Sequence, residues 1–167
     1  KKMDKNVDIV AEQLDHGKSF QFLPAFSKIC NCFDNLRRFV ISLNTTNAKV
    51  EKIKYHAEAD SLNFIISPKE GFFTKEDITT HAGSFKYDLI ITLDTPDLES
   101  LGTIYDNDTE FFYQVPIINI DHRSENEEYG QINNVQITAI ATSEILFNLI
   151  TEYSRDLIDE DIATCLL

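Results

Sequence analysis

At 167 residues, 43% of them hydrophobic and 26% charged, the chain has room for one domain or most of one and enough apolar material for a core. A formal charge of −13 repels nucleic-acid phosphates and argues against avid, nonspecific binding of duplex DNA. No apolar run approaches the length of a membrane span, so no membrane partner is expected, and no secretory pattern opens the chain.

The start, Lys1-Lys2-Met3-Asp4, reads as an internal cut. Asn6-Val7-Asp8-Ile9-Val10 reads as a short strand. His16-Gly17-Lys18-Ser19 follows in a loop and echoes the end of a phosphate-binding loop. That motif needs a glycine where Glu12 stands, so it is dismissed. Residues 20–33 are rich in aromatics around Pro24, which suits the first position of a short helix, and the aromatics read as core. Cys30, Cys32 and Cys165 fit no zinc spacing and no disulfide framework. They are expected as buried or half-buried thiols in a reducing cytoplasm.

Residues 39–43 form a strand, Asn44-Thr45-Thr46-Asn47 a turn, residues 50–56 an alternating strand, and residues 61–67 another with Leu62, Phe64 and Ile66 on one face. The three together predict an antiparallel β-meander, inserted at about residues 39–67. Lys49, Lys52 and Lys54 read as a solvated edge that discourages pairing. Residues 68–83 look like a loop, with a helical turn at Thr74 and an exposed His81.

Tyr87-Asp88-Leu89-Ile90-Ile91-Thr92-Leu93 is an apolar strand pattern that ends at Asp94. Thr95-Pro96-Asp97-Leu98-Glu99 then has a capping residue, a first-turn proline and two acids, the signature of a helix start. Gly102 is expected to stop it, and residues 106–113 suggest a second short helix. Val115-Pro116-Ile117-Ile118-Asn119-Ile120 is a second buried strand, which stops at Asp121-His122-Arg123. A further strand is expected within residues 131–140. A helix over 141–153 follows, started by Thr142 or Ser143, with Ile145, Leu146, Leu149, Ile150 and Tyr153 on one face and Glu144 in its first turn. Asp159-Glu160-Asp161 begins a last helix.

Two strands that both end in an aspartate, one with an adjoining histidine, have the form of a sheet edge where ligands bind. Aspartate oxygens and a histidine nitrogen suit manganese, or magnesium with less use for the histidine. The fold class that follows is α/β: a mainly parallel, Rossmann-like sheet flanked by helices, carrying the inserted meander.

The segments YDLIITLDTPDLESLG and VPIINIDHRSENEEYGQINNVQITAIATSEIL resemble the second and third motifs of the DHH phosphoesterases, the nanoRNase and oligoribonuclease-like group with a RecJ-type catalytic domain. That family is named for Asp-His-His followed by a small residue, Asn, an aromatic and Gly. Asp121, His122, Asn126, Tyr129 and Gly130 stand at the matching places, while Arg123 replaces the second histidine and Glu125 the usual serine. The likeness covers about residues 85–150. It implies a metal-dependent phosphoesterase that hydrolyses phosphodiester bonds in short single-stranded oligonucleotides, cyclic dinucleotides or phosphorylated nucleotides. Asp94, Asp121 and His122 are the implied catalytic and metal-binding residues, Arg123 and Asn126 the substrate contacts, and a homodimer is left open.

The resemblance also implies parts not found here. The first motif, a histidine and two aspartates on the first strand, has no counterpart in residues 1–60. The last motif and the C-terminal substrate-binding domain are not seen either. The chain is therefore expected to be a single, incomplete DHH catalytic domain with little activity by itself. Arginine can grip phosphate but cannot release a proton, so the other reading is a degenerate, non-catalytic nucleotide-binding or regulatory module.

Overall fold

A computed structural model describes residues 5–12 and 20–167. The Lys1 start and the His16-Gly17-Lys18-Ser19 stretch lie outside the described residues. The chain divides into two compact units. One comprises Lys1–Leu36 and Phe85–Leu167; the other, Arg37–Ser84, is inserted into it.

The first unit begins with two very short strands, β1 (Ile9–Val10) and β2 (Ile29–Cys30), paired in parallel. Among the described residues between them, the aromatic stretch has a 3-10 turn at Phe26–Lys28 in place of a short helix at Pro24. Phe20 and Phe22 are exposed, and only Phe33 of these rings packs on the core. The three cysteines are likewise exposed rather than buried.

The inserted unit departs from the expected meander. It contains β3 (Arg37–Leu43), β4 (Val50–Ala57), β5 (Leu62–Pro68) and all but the last residue of β6 (Ile78–Phe85). β4 and β5 form an antiparallel hairpin that pairs Ile53 with Ile66 and Tyr55 with Phe64. β3 leaves that hairpin and pairs with β6 instead. Residues 78–83 are thus strand, not loop, and His81 lies exposed within it. The sequence hides β6 because small residues replace the usual bulky alternation. At Gly83 a Cβ would stand 2.7 Å from the Val40 side chain, so the close approach of the two strands requires glycine there.

Back in the first unit, β7 (Ile90–Leu93), β8 (Ile117–Asp121) and β9 (Ile132–Val135) make a three-stranded parallel sheet in the order β7-β8-β9. Its register aligns Ile90 with Ile117 and Leu93 with Ile120. It then aligns Asn119 with Asn133 and Asp121 with Val135. The crossover from β7 to β8 holds α1 (Thr103–Asn107) and α2 (Thr109–Gln114). The expected helix opening at Thr95 is absent. The chain bends there, makes a 3-10 turn at Glu99–Leu101, and reverses at Gly102, whose φ of 57° favours glycine.

The core of this unit is built on the crossover. Phe111, Phe112, Ile104, Tyr105, Val115 and Ile117 are buried together with Leu36. Phe33 and Phe85 each stack against Phe111 at 5.1 Å between ring centres, the tilted geometry aromatic rings prefer. This packing fixes the start of β8 and so the place where β8 ends.

After β9 come α3 (Thr142–Ser154) and α4 (Glu160–Leu166). Of the apolar face expected on α3 only Ile145 is fully buried, while Leu149 and Tyr153 are exposed. The chain is a mixed α/β protein of small sheets, some of them parallel. Among the described residues no helix is long and apolar enough to cross a membrane.

Candidate functional site

The site lies at the carboxyl ends of β7 and β8. Asp94 follows β7 directly, and its backbone N–H still donates to Ile120 O of β8 at 3.0 Å. Its φ is 54°, a left-handed conformation that aspartate tolerates better than most residues. The strand therefore ends at Asp94, and both its side chain and its carbonyl take part in the cluster.

Asp121 ends β8 and is fully buried. A buried carboxylate needs donors, and the turn after β8 supplies them. Asp121 Oδ1 accepts the backbone N–H of His122 at 2.7 Å and of Arg123 at 3.3 Å. Asp121 Oδ2 accepts from Asn126 Nδ2 at 2.8 Å.

Asn126 holds this arrangement. Its Nδ2 also donates to Thr95 O at 3.1 Å, and its Oδ1 accepts from Asn119 Nδ2 and from Glu128 N, both at 2.8 Å. Both amide hydrogens and both lone pairs are taken. Asn126 thus joins β7's exit to β8's exit and has no hydrogen-bonding capacity left for a substrate. Asn119 is wholly buried, and its own Oδ1 lacks a hydrogen-bond partner. Tyr129 braces the same corner: its hydroxyl donates to Thr95 O at 3.1 Å and lies in hydrogen-bond contact with Thr92 Oγ1 at 2.8 Å. Burial raises the Tyr129 phenol above its ordinary range; the Thr92 contact opposes the rise and the Asp121 charge adds to it.

Around Asp94 the charged groups meet. His122 Nε2 is 3.5 Å from Asp94 Oδ1. Arg123 Nη2 is 2.8 Å from Asp94 Oδ2 and also donates to the Asp94 carbonyl. Arg123 Nε is 3.8 Å from Asp121 Oδ1. Thr142, at the start of α3, donates its hydroxyl to Asp94 Oδ1 at 3.0 Å. Burial disfavours ionised Asp94, but the bonds from Arg123 and Thr142 and the nearby positive charge outweigh it, so its carboxyl lies below its usual range. Burial likewise works against the Arg123 guanidinium, and the carboxylates around it more than compensate.

The geometry brings together Asp94, Asp121 and His122. One ligand atom from each can be chosen so that all lie within 4.8 Å of one another. Arg123 closes on the same cluster. Thr142 was not foreseen as a site residue. Its position, Thr-Ser-Glu at a helix start, suggested a capping role; its hydroxyl goes to Asp94 instead, while Glu144 Oε2 accepts from Ile140 N at 2.8 Å.

No protein-family model matches the chain. No curated protein matches it either. Among solved structures, the crystal structure of an exopolyphosphatase-related protein from Bacteroides fragilis is similar at 26% identity and a TM-score of 0.44. The likeness covers 48% of this chain and 24% of that one, so the chain matches about a quarter of that protein's length.

The donor set fits one divalent cation. Two carboxylates and an imidazole within a few ångströms are enough when water completes the shell, as magnesium and manganese allow. Asp121 Oδ2 has a single protein donor, Asn126, which leaves a lone pair for an ion. His122 is partly exposed, with 29% of its side chain accessible.

Proposed function

We propose that this chain carries the metal-binding part of a DHH-type phosphoesterase site, which hydrolyses phosphodiester bonds in short single-stranded oligonucleotides, cyclic dinucleotides or phosphorylated nucleotides. The observation that carries the reading is the convergence of Asp94, Asp121 and His122 within 4.8 Å, at the strand ends where open α/β sheets bind ligands. On this reading the parallel sheet is the centre of a Rossmann-like domain, manganese is preferred to magnesium because of His122, and the setting is cytoplasmic.

Asp94 and His122 are the exposed ligands. Asp121 ligates through Oδ2 while its Oδ1 fixes the backbone of His122 and Arg123. A bound divalent cation would supply a water ionisable near neutral pH and an offset for phosphoryl charge. Arg123 supplies a guanidinium beside that position, able to meet a phosphate oxygen but not to donate a proton. The leaving group therefore has to obtain its proton from solvent. With three donors, turnover by this stretch of chain is expected to be low.

The second reading, a nucleotide-binding or regulatory module without turnover, is favoured by the Arg123–Asp94 ion pair at 2.8 Å, which engages a carboxylate the reaction needs. The test is manganese binding by equilibrium dialysis, together with hydrolysis of a dinucleotide. Manganese bound by the wild-type chain, lost in D94A and accompanied by any metal-dependent cleavage supports the enzyme. Binding of the dinucleotide without cleavage supports the module. No manganese bound, or no change in D94A, removes the phosphoesterase reading.

A further inference from the structure

We propose that the Arg123 guanidinium is a resident cation of the Asp94–Asp121–His122 cluster, so that the site takes a single divalent ion and holds it in competition with its own arginine. The inference rests on the metal-binding reading above and concerns how Arg123 sets the capacity of this cluster.

Three observations carry it. Arg123 meets both the carboxylate and the carbonyl of Asp94 through one nitrogen, while its Nε faces Asp121 Oδ1 at 3.8 Å. The guanidinium thus sits against both aspartates that would ligate an ion. Its own backbone N–H is tied to Asp121 Oδ1, so its Cα is anchored beside the cluster. Finally, the ligand oxygens are shared. Arg123 meets Asp94 Oδ2 and Thr142 donates to Asp94 Oδ1, while two backbone N–H groups fill Asp121 Oδ1.

Charge decides the capacity. Two carboxylates and one guanidinium leave one net negative charge at neutral pH. One divalent ion makes the cluster net positive, and a second would face both that ion and the arginine within a few ångströms with no further carboxylate from the cluster to offset it. Arginine remains charged at every relevant pH. It therefore acts as a fixed positive group: it lowers divalent-ion affinity and fills the electrostatic role that a second ion would have.

The test is an equilibrium titration of the full chain with Mn²⁺, with free ion read by electron paramagnetic resonance. The wild-type chain is expected to bind one ion. R123A and R123Q are expected to bind Mn²⁺ about tenfold more tightly or better, and R123K, which keeps the charge, to stay near wild type. A wild-type chain that remains empty while R123A binds one ion overturns the single-ion capacity proposed here, and with it the phosphoesterase reading. Two ions in the wild-type chain overturn the proposal whatever the variants do. One ion with no gain in folded R123A and R123Q, judged by circular dichroism, overturns the role of Arg123 and leaves the metal reading standing. No ion in any of the four proteins overturns both.

Discussion

The Thr142 hydroxyl and the Asp94 carboxylate are 3.0 Å apart although 48 residues separate them. The bond links the first turn of α3 to the end of β7, and Thr142 is almost wholly buried. It sets the rotamer in which Asp94 faces His122.

T142V should therefore loosen Asp94 without altering the helix. The expected cost is about 1 kcal/mol in urea unfolding, the value of one partly buried hydrogen bond, with Mn²⁺ affinity falling several-fold. T142S keeps the hydroxyl and should restore most of the affinity. Equal affinity in T142V and wild type would show that Asp94 is oriented by other contacts.

Asn126 makes four hydrogen bonds in the site, to Asp121, Thr95, Asn119 and Glu128. N126A strips a buried carboxylate oxygen and a buried amide of their partners, so a loss of about 2–3 kcal/mol is expected. N126D retains the shape but sets a second negative charge against Asp121, and should be at least as damaging. A chemical denaturation series on both variants measures this. A loss below about 0.5 kcal/mol would mean that water replaces the amide.

Asp94 has a folded-state pKa below its ordinary value, and this fixes the direction of the acid response. Stability from its ionised form is fully present above the unfolded value, near about 3.9, and is lost as pH falls through the lower folded value. Half of the side chain is solvent-accessible, so the contribution is modest. Thermal melting from pH 6 down to pH 2 should show a smaller acid-induced loss in R123Q than in wild type, because the guanidinium that favours the ionised form is gone. Parallel curves would contradict this.

Tyr129 joins Thr92 to the Thr95 carbonyl through its hydroxyl. Y129F should lose about 1 kcal/mol of stability and leave the number of Mn²⁺ ions bound unchanged, since no ligand atom is removed. The raised phenol pKa gives an alkaline signature. Stability held by the neutral hydroxyl is complete below about 10, the unfolded value, and declines as pH rises toward the folded value. Y129F lacks that component.

The strands that form the site were legible because each is a short apolar run stopped by an acid. Ile90–Leu93 and Ile117–Asp121 lie where the alternation-free β-branched pattern puts them, and the acids follow from chain direction alone. What failed was long-range pairing. Arg37–Leu43 and Ile78–Phe85 pair across more than thirty intervening residues, and no local pattern encodes such a partner. Small residues in β6 also masked it as a strand. Thr95, and Thr142 or its neighbour Ser143, stand where a hydroxyl usually caps a helix. Here the hydroxyls of Thr95 and Thr142 go to Leu93 O and to Asp94, a choice set by the tertiary position of the strand ends. The resemblance suggested a substrate role for Asn126; sequence could not reveal that its amide would be saturated.

Where the inserted unit leaves and rejoins the main one, Lys86 N donates to Leu36 O at 2.7 Å. The excursion over Arg37–Ser84 thus starts and finishes at neighbouring points. Evolution, or an engineer, can lengthen, swap or excise such a loop-out with a tight connection between residues 36 and 85 and leave the remaining thread's path undisturbed. The rim at the strand ends and the inserted unit are therefore free to diversify at different rates.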